Sequence, residues 1–184
     1  MDMSLEKKKQ IEKWVILFLV FVFYFIIATY KLTHCSLWFD EAIEYWYSKI
    51  ILGPVPGGGT TSNMYERIVS TFQPPLYNII MYLWLKIGDS EWWFRFFGVI
   101  MGFLGAIGIY KSVNALSNYR IASIAVIIYS TTYRIIQYIQ ECAEYNLMLA
   151  CLCWMLYFYI CVLKYKNLKS IVLFVLFCIL YAPP

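Results

Sequence analysis

The chain has 184 residues, of which 62% are hydrophobic, 20% aromatic and only 14% charged. Too little polar surface remains for a water-soluble globule, so an all-α polytopic membrane protein is expected. The formal charge of +4, from 15 Lys and Arg against 11 Asp and Glu, reads as orientation signal; without a basic patch interleaved with aromatics, nucleic acid is not an expected partner.

The N-terminus carries Lys7, Lys8 and Lys9 ahead of an apolar run with no small-residue cleavage site. It therefore reads as a retained signal anchor. Five stretches suit membrane spans, about 14–30, 96–116, 121–139, 145–163 and 170–184. The apolar segment from Leu76 to Leu85 is followed by Lys86 and Gly88. At about 1.5 Å per residue it covers only about half of a 30 Å hydrocarbon core, so an interfacial helix over about 76–87 is predicted. Residues 1–184 are thus read as one transmembrane module with an outer loop over 31–95.

The positive-inside rule fits this count. With Lys7, Lys8, Lys9 and Lys13 cytoplasmic, the basic residues Lys111, Arg120, Lys164, Lys166 and Lys169 all fall on the same side. Asp40, Glu41, Glu44, Glu66, Arg67, Glu91, Arg95, Glu141 and Glu144 then lie on or near the outer face. The acids gather outside, and carboxylates at a membrane surface are costly unless solvated or used.

Within the outer loop, Ile43, Trp46, Tyr47, Ile50 and Ile51 recur at helical spacing, predicting an interfacial amphipathic helix over about 40–52 that Asp40 or a neighbour caps and Gly53-Pro54 ends. The Gly-rich segment from Pro54 to Asn63 lacks the Gly-Lys-Ser/Thr ending of a phosphate loop and reads as a linker. Pro74-Pro75 is expected to start the short helix. Gly98, Gly102, Gly105 and Gly108 form a small-residue stripe suited to close packing. Arg134, inside the end of its span, needs a partner such as Glu141. His34 reads as an interfacial residue. Cys151, Cys153, Cys161 and Cys178 read as apolar fillers, and a disulfide between Cys35 and Cys142 stays open.

Four motifs follow in order: Leu37-Trp38-Phe39-Asp40-Glu41-Ala42, Gln73-Pro74-Pro75-Leu76-Tyr77, Gly88-Asp89-Ser90-Glu91-Trp92-Trp93-Phe94-Arg95, and Glu141-Cys142-Ala143-Glu144-Tyr145. Together they resemble the N-terminal part of family 39 glycosyltransferases, the membrane-embedded GT-C enzymes that include protein O-mannosyltransferases, aminoarabinose lipid A transferases and RgtA-like sugar transferases. The resemblance implies a GT-C-like module that moves a sugar from a polyprenyl-phosphate donor to an acceptor of unknown kind outside the cell membrane, in envelope glycan, lipid or protein glycosylation. Ala143 stands where the family's Glu-Ala-Arg-x-Tyr stretch has Arg. That departure puts in doubt any contact made through the missing side chain.

Such a transfer needs a carboxylate base for the acceptor hydroxyl and cationic or hydrogen-bonding groups for the leaving phosphate. Asp40 is the expected base, with Glu41 orienting it or the acceptor; the competing reading makes Asp40 a helix cap. Arg95 is the expected phosphate partner, with Arg67 and Lys86 behind it, although Arg95 could instead pair with Glu91 at i, i+4 or reach lipid headgroups. Glu141 and Tyr145 are expected at the substrate, against simple solvation of Glu141 and Glu144 in a loop. No metal ligand set stands out, so no cofactor is expected, and a divalent ion has no support in the sequence. Relatives of this type are several hundred residues long, so the chain is expected to be a truncated portion. The competing classes are a non-catalytic membrane subunit or polysaccharide-export component, an inactive fragment, and a transporter, which would place its charges in mid-span.

Overall fold

A computed structural model describes residues 3–52 and 75–181, and these are all helical or connecting turns, with no strand among them. In chain order the helices are α1 (Met3–Thr29), α2 (Phe39–Ile50), α3 (Pro75–Leu85), α4 (Glu91–Leu116), α5 (Tyr119–Thr131), α6 (Tyr133–Gln140), α7 (Glu144–Tyr165) and α8 (Leu168–Tyr181). Three of them are long and apolar enough to cross a bilayer: Glu6–Thr29 within α1, then α4 and α7. The protein is an all-α polytopic membrane protein.

Local chemistry sets the boundaries. Ser90 caps α4 by accepting the Trp93 N–H at 3.1 Å, and Asn118 caps α5 by accepting those of Arg120 and Ile121, both at 3.1 Å. Helix α3 begins at Pro75, a position where the missing N–H costs no helical bond.

The predicted single span over 121–139 is two helices, α5 and α6, broken at Thr132. Three consecutive hydroxyls account for the break: Ser130, Thr131 and Thr132 donate to the carbonyls of Val126, Ile127 and Ile128 at 2.7, 2.9 and 2.7 Å. Such back-bonding offers the preceding turn an alternative partner and bends or ends a helix. Thr132 then leaves the helical region at ψ 115.

The core forms where α1, α4, α5, α6 and α7 meet, with Tyr24, Val99, Ala106, Val126, Tyr129, Ile139 and Cys153 among its buried residues. Two of its buried phenols end on helix α4 backbone: Tyr24 donates to Val99 O at 2.7 Å and Tyr129 to Gly102 O at 3.1 Å. Because α4 accepts neighbours this closely, its glycine stripe is a packing face. A Cβ on Gly98 would collide with the backbone carbonyl of Ile139, whereas one on Gly102 would meet the Tyr24 hydroxyl and the Ile139 side chain. Side chains can yield where a helix backbone cannot. Gly98→Ala is therefore expected to lower folded yield in detergent more than Gly102→Ala, measured by fluorescence-detected size exclusion of matched expressions.

A second cluster joins α3 to α4 through Tyr77, Met81, Leu85, Phe94, Phe97 and Cys142. Trp84 and Trp93 lock it from the side, stacked at 4.3 Å, each indole N–H donating to the other's backbone carbonyl. At the opposite end of the bundle Arg120 pairs with Glu12 at 2.7 Å and Lys164 donates to Ala115 O at 2.7 Å. Basic side chains of α5 and α7 thus converge on one rim and the motif acids on the other.

Candidate active site

The acidic rim is organised by a buried ion pair. Glu41 and Arg95 are 3% and 4% exposed, and their contact is bidentate, Nε to Oε1 at 3.1 Å and Nη2 to Oε2 at 2.8 Å. The three other guanidinium N–H groups donate to backbone carbonyls, Nη1 to Leu32 and Cys35, both at 2.8 Å, and Nη2 to Ser36 at 3.3 Å. All five donors of Arg95 are thereby engaged. Glu91 Oε1 lies 3.1 Å from Nη1 but has no hydrogen-bond partner, so it contributes charge without completing a bond.

Glu41 is equally saturated. Besides the guanidinium it accepts the Trp38 N–H at 3.0 Å and the Cys142 N–H at 2.9 Å. One carboxylate therefore ties the start of α2, the start of α4 and the turn between α6 and α7. Burial by itself raises the Glu41 carboxyl; the Arg95 guanidinium, then the Cys142 and Trp38 N–H groups, reverse this and hold it below its ordinary range. A depressed folded value means that the pair's stabilisation is complete above the unfolded carboxyl's value, about 4.3, and is lost as pH falls through the folded one. Thermal stability in detergent is expected to fall below about pH 4, and Glu41→Gln to flatten that acid limb. An unchanged limb in the variant would place the titration elsewhere.

The role expected of Arg95 changes accordingly. Buried and without a spare donor, it holds the turn 32–36 in place and cannot offer an N–H to a phosphate without breaking this network. The cap assignment changes too: the N-cap of α2 is Trp38, Glu41 reaches back to its N–H, and Asp40 sits in the first turn. Asp40 is exposed, and its carboxylate makes no hydrogen bond among the described residues.

Released from capping, Asp40 lines a cleft of about 180 Å³ with Ile43, Glu44, Ala143, Glu144 and Tyr145. This brings Asp40 together with Tyr145 and adds Glu44 and Glu144 as neighbours. The sequence held a signal for Glu44, since Asp40 and Glu44 are i, i+4 on one helical face. For Glu144 the signal was only its place beside Tyr145. Glu44 is 2% exposed on the inward side of α2, next to Ser48, whose hydroxyl donates to buried Asn78 at 2.9 Å. The inward face of α2 is thus polar, while Phe39, Trp46 and Tyr47 are exposed. An exposed tie helps hold the helix, with Lys49 2.7 Å from Asp89 and Tyr45 bonded to the same carboxylate. Pairs this exposed are worth at most about 1 kcal/mol.

Other expected residues stand apart. Glu141 lies across the clamp in a second cleft of about 160 Å³, where it accepts from Gln137 at 2.9 Å. Gln137 also accepts from Arg134 at 3.2 Å, so that arginine reaches Glu141 through an intervening amide. Lys86 is outside both clefts, its ammonium 4.7 Å from the Tyr82 ring centre. Arg67 and the Pro54–Asn63 linker lie outside the described residues. Cys35 and Cys142 are both free; the Cys142 thiol is buried against Phe94 O at 3.1 Å and the Tyr77 hydroxyl at 3.2 Å, and burial pushes its pKa well up. Among the described residues no group of three His, Cys, Asp or Glu could hold a metal ion.

Fold and site together define a polytopic membrane protein whose inter-helix turns assemble a carboxylate cleft beside a buried ion pair. A family model described as dolichyl-phosphate-mannose-protein mannosyltransferase matches residues 72–180, more than half of the chain, and the chain belongs to that family. Membership implies a membrane glycosyltransferase of the GT-C type with a lipid-linked sugar donor. No curated protein and no solved structure matches the chain. The matched region holds Lys86, Arg95, Glu141, Glu144 and Tyr145; Asp40 and Glu41 precede it and join it through the contacts of Glu41 to Arg95 and Cys142.

Proposed function

We propose that the protein transfers a sugar from a polyprenyl-phosphate donor to an acceptor at the extracytoplasmic face of the cell membrane, in envelope glycan, lipid or protein glycosylation, with Asp40 as general base. The observation that carries this reading is the division of labour within the Asp-Glu pair. Glu41 is saturated by Arg95 and two backbone N–H groups, whereas Asp40 is uncommitted and opens into a cleft with Glu144 and Tyr145.

In that cleft the acceptor oxygen attacks the anomeric carbon and its proton passes to an Asp40 carboxylate oxygen. The bond from the anomeric carbon to the phosphate oxygen breaks, its electron pair leaves with the polyprenyl phosphate, and Asp40 returns the proton to solvent. Glu144 and Tyr145 are placed to bind sugar hydroxyls. Because Arg95 is fully engaged, the phosphate charge falls to cations outside the clamp, and Lys86 and Arg67 keep that assignment.

Reconstituted protein is expected to transfer labelled sugar from a polyprenyl-phosphate sugar and not from a nucleotide sugar; dependence on the nucleotide sugar alone would overturn the reading. Sidedness can be tested on a Cys178→Ser chain, because Cys35 is exposed five residues from Asp40, Cys142, Cys151, Cys153 and Cys161 are buried, and Cys178 is half-buried. A membrane-impermeant maleimide is expected to label Cys35 in intact cells. Labelling only after permeabilisation would turn the site to the cytosol.

A further inference from the structure

We infer that the second cleft, across the Glu41–Arg95 clamp from Asp40, is a subsite for a neutral sugar ring of the acceptor, which makes the acceptor a glycan. This rests on the reading that transfer occurs in the acidic cleft. The two clefts differ in charge. The acidic one is lined by Asp40, Glu44 and Glu144 with no cation among its lining residues. The second has two cations, Lys31 and Arg95, and two carboxylates, Glu41 and Glu141, so its fixed charges cancel. A cleft without net charge does not select a phosphate.

Its polar groups suit hydroxyls. Gln140 donates its amide to Ala28 O at 3.1 Å and Tyr30 O at 2.9 Å, which fixes the side chain and leaves its carbonyl oxygen to accept. Glu141 gives one oxygen to Gln137 and keeps the other. Lys31 and His34, both exposed on the wall, supply donors. Trp38 adds an aromatic surface that is 66% exposed, the kind of flat apolar face against which a sugar ring buries its C–H side. Acceptors of both kinds, donors and an indole converge within about 160 Å³. Apart from Leu32, Cys35 and the Trp38 indole the lining residues are polar or charged, which suits a ring of hydroxyls better than a run of peptide side chains.

Position links the two sites. Glu41 forms the wall of the second cleft and neighbours Asp40 in the chain, so a glycan whose inner ring lies between Trp38 and Gln140 can extend its next hydroxyl toward the base.

The test uses the full chain in nanodiscs of zwitterionic lipid, with saturation-transfer NMR of methyl α-mannopyranoside, methyl β-glucopyranoside and methyl β-galactopyranoside. At least one glycoside is expected to give signal, to lose it at least fivefold in both Trp38→Ala and Gln140→Ala, and to keep it in Asp40→Asn. Thermal melts identify any variant that has unfolded, and exposed Lys31→Ala then serves as the replacement, with the same loss expected. Absence of signal from all three glycosides, equal signal in the folded variants, or displacement by equimolar inorganic phosphate or by a serine-rich peptide would each overturn the subsite. Failure of the transfer reading has a different signature: Asp40→Asn would retain full sugar transfer while the glycoside signals stay as described.

Discussion

Asp40→Asn is expected to lower sugar transfer from a polyprenyl-phosphate donor by about 10²–10⁴-fold, the usual contribution of a positioned general base, while membrane yield and melting temperature stay unchanged. The argument is geometric. Asp40 is exposed, bonds to nothing described and does not cap α2, so exchanging its carboxylate for an amide removes no structural contact; only the proton acceptor in the cleft is lost. Steady-state kinetics on purified protein check the first half and melts the second. A fall in stability matching the fall in activity would return Asp40 to a structural role, and undiminished transfer would remove it as the base. Glu144→Gln separates the neighbours: it is expected to raise the acceptor KM more than it lowers kcat, because Glu144 lines the same cleft without being the base.

Arg95→Ala is expected to have the largest effect on stability. Removing one partner of a buried ion pair leaves the other uncompensated and costs about 3–5 kcal/mol. Here Glu41 would keep only the Trp38 and Cys142 N–H groups, and the carbonyls of Leu32, Cys35 and Ser36 would lose their donor. The expected result is a chain that inserts but does not hold the turns around the ion pair, seen as a lowered melting temperature and as proteolysis confined to residues near 32–41. Arg95→Lys is expected to recover little, since one ammonium cannot reproduce a planar five-donor fork. Full stability in Arg95→Ala would refute the clamp. The contrast with Asp40 is itself diagnostic, because adjacent residues of one motif give a kinetic defect in one case and a folding defect in the other.

Composition made the membrane class readable, and long apolar runs, that of α4 interrupted only by Lys111, gave the helical class and the positions of α1, α4 and α7. The break at Thr132 did not, because the apolar pattern continues across Ser130-Thr131-Thr132 and only the hydroxyl bonds to the preceding turn reveal the interruption. At the candidate site, motif order singled out Asp40 and Tyr145, which line one cleft. The partnership of Glu41 with Arg95 was not: Arg95 had an equally good candidate in Glu91 at i, i+4, and sequence spacing carries no information about a contact across 54 residues. Asp40 looked like a cap because Asp is a preferred cap residue, and Trp38 took that position because Glu41 can reach back three residues. Gln137 and Gln140 passed unnoticed, since amides show their use only once α6 is set against the end of α1.

The clamp also imposes an order on biogenesis. Glu41 emerges early, but the guanidinium that neutralises it comes 54 residues later and the Cys142 N–H 101 residues later. Closing loops of that length carries an entropic penalty that only the finished contacts offset. Until α4 and the α6–α7 turn have been made, that carboxylate lacks its partners from Arg95 and Cys142, so that nascent chains shorter than this are expected to leave the acidic rim open.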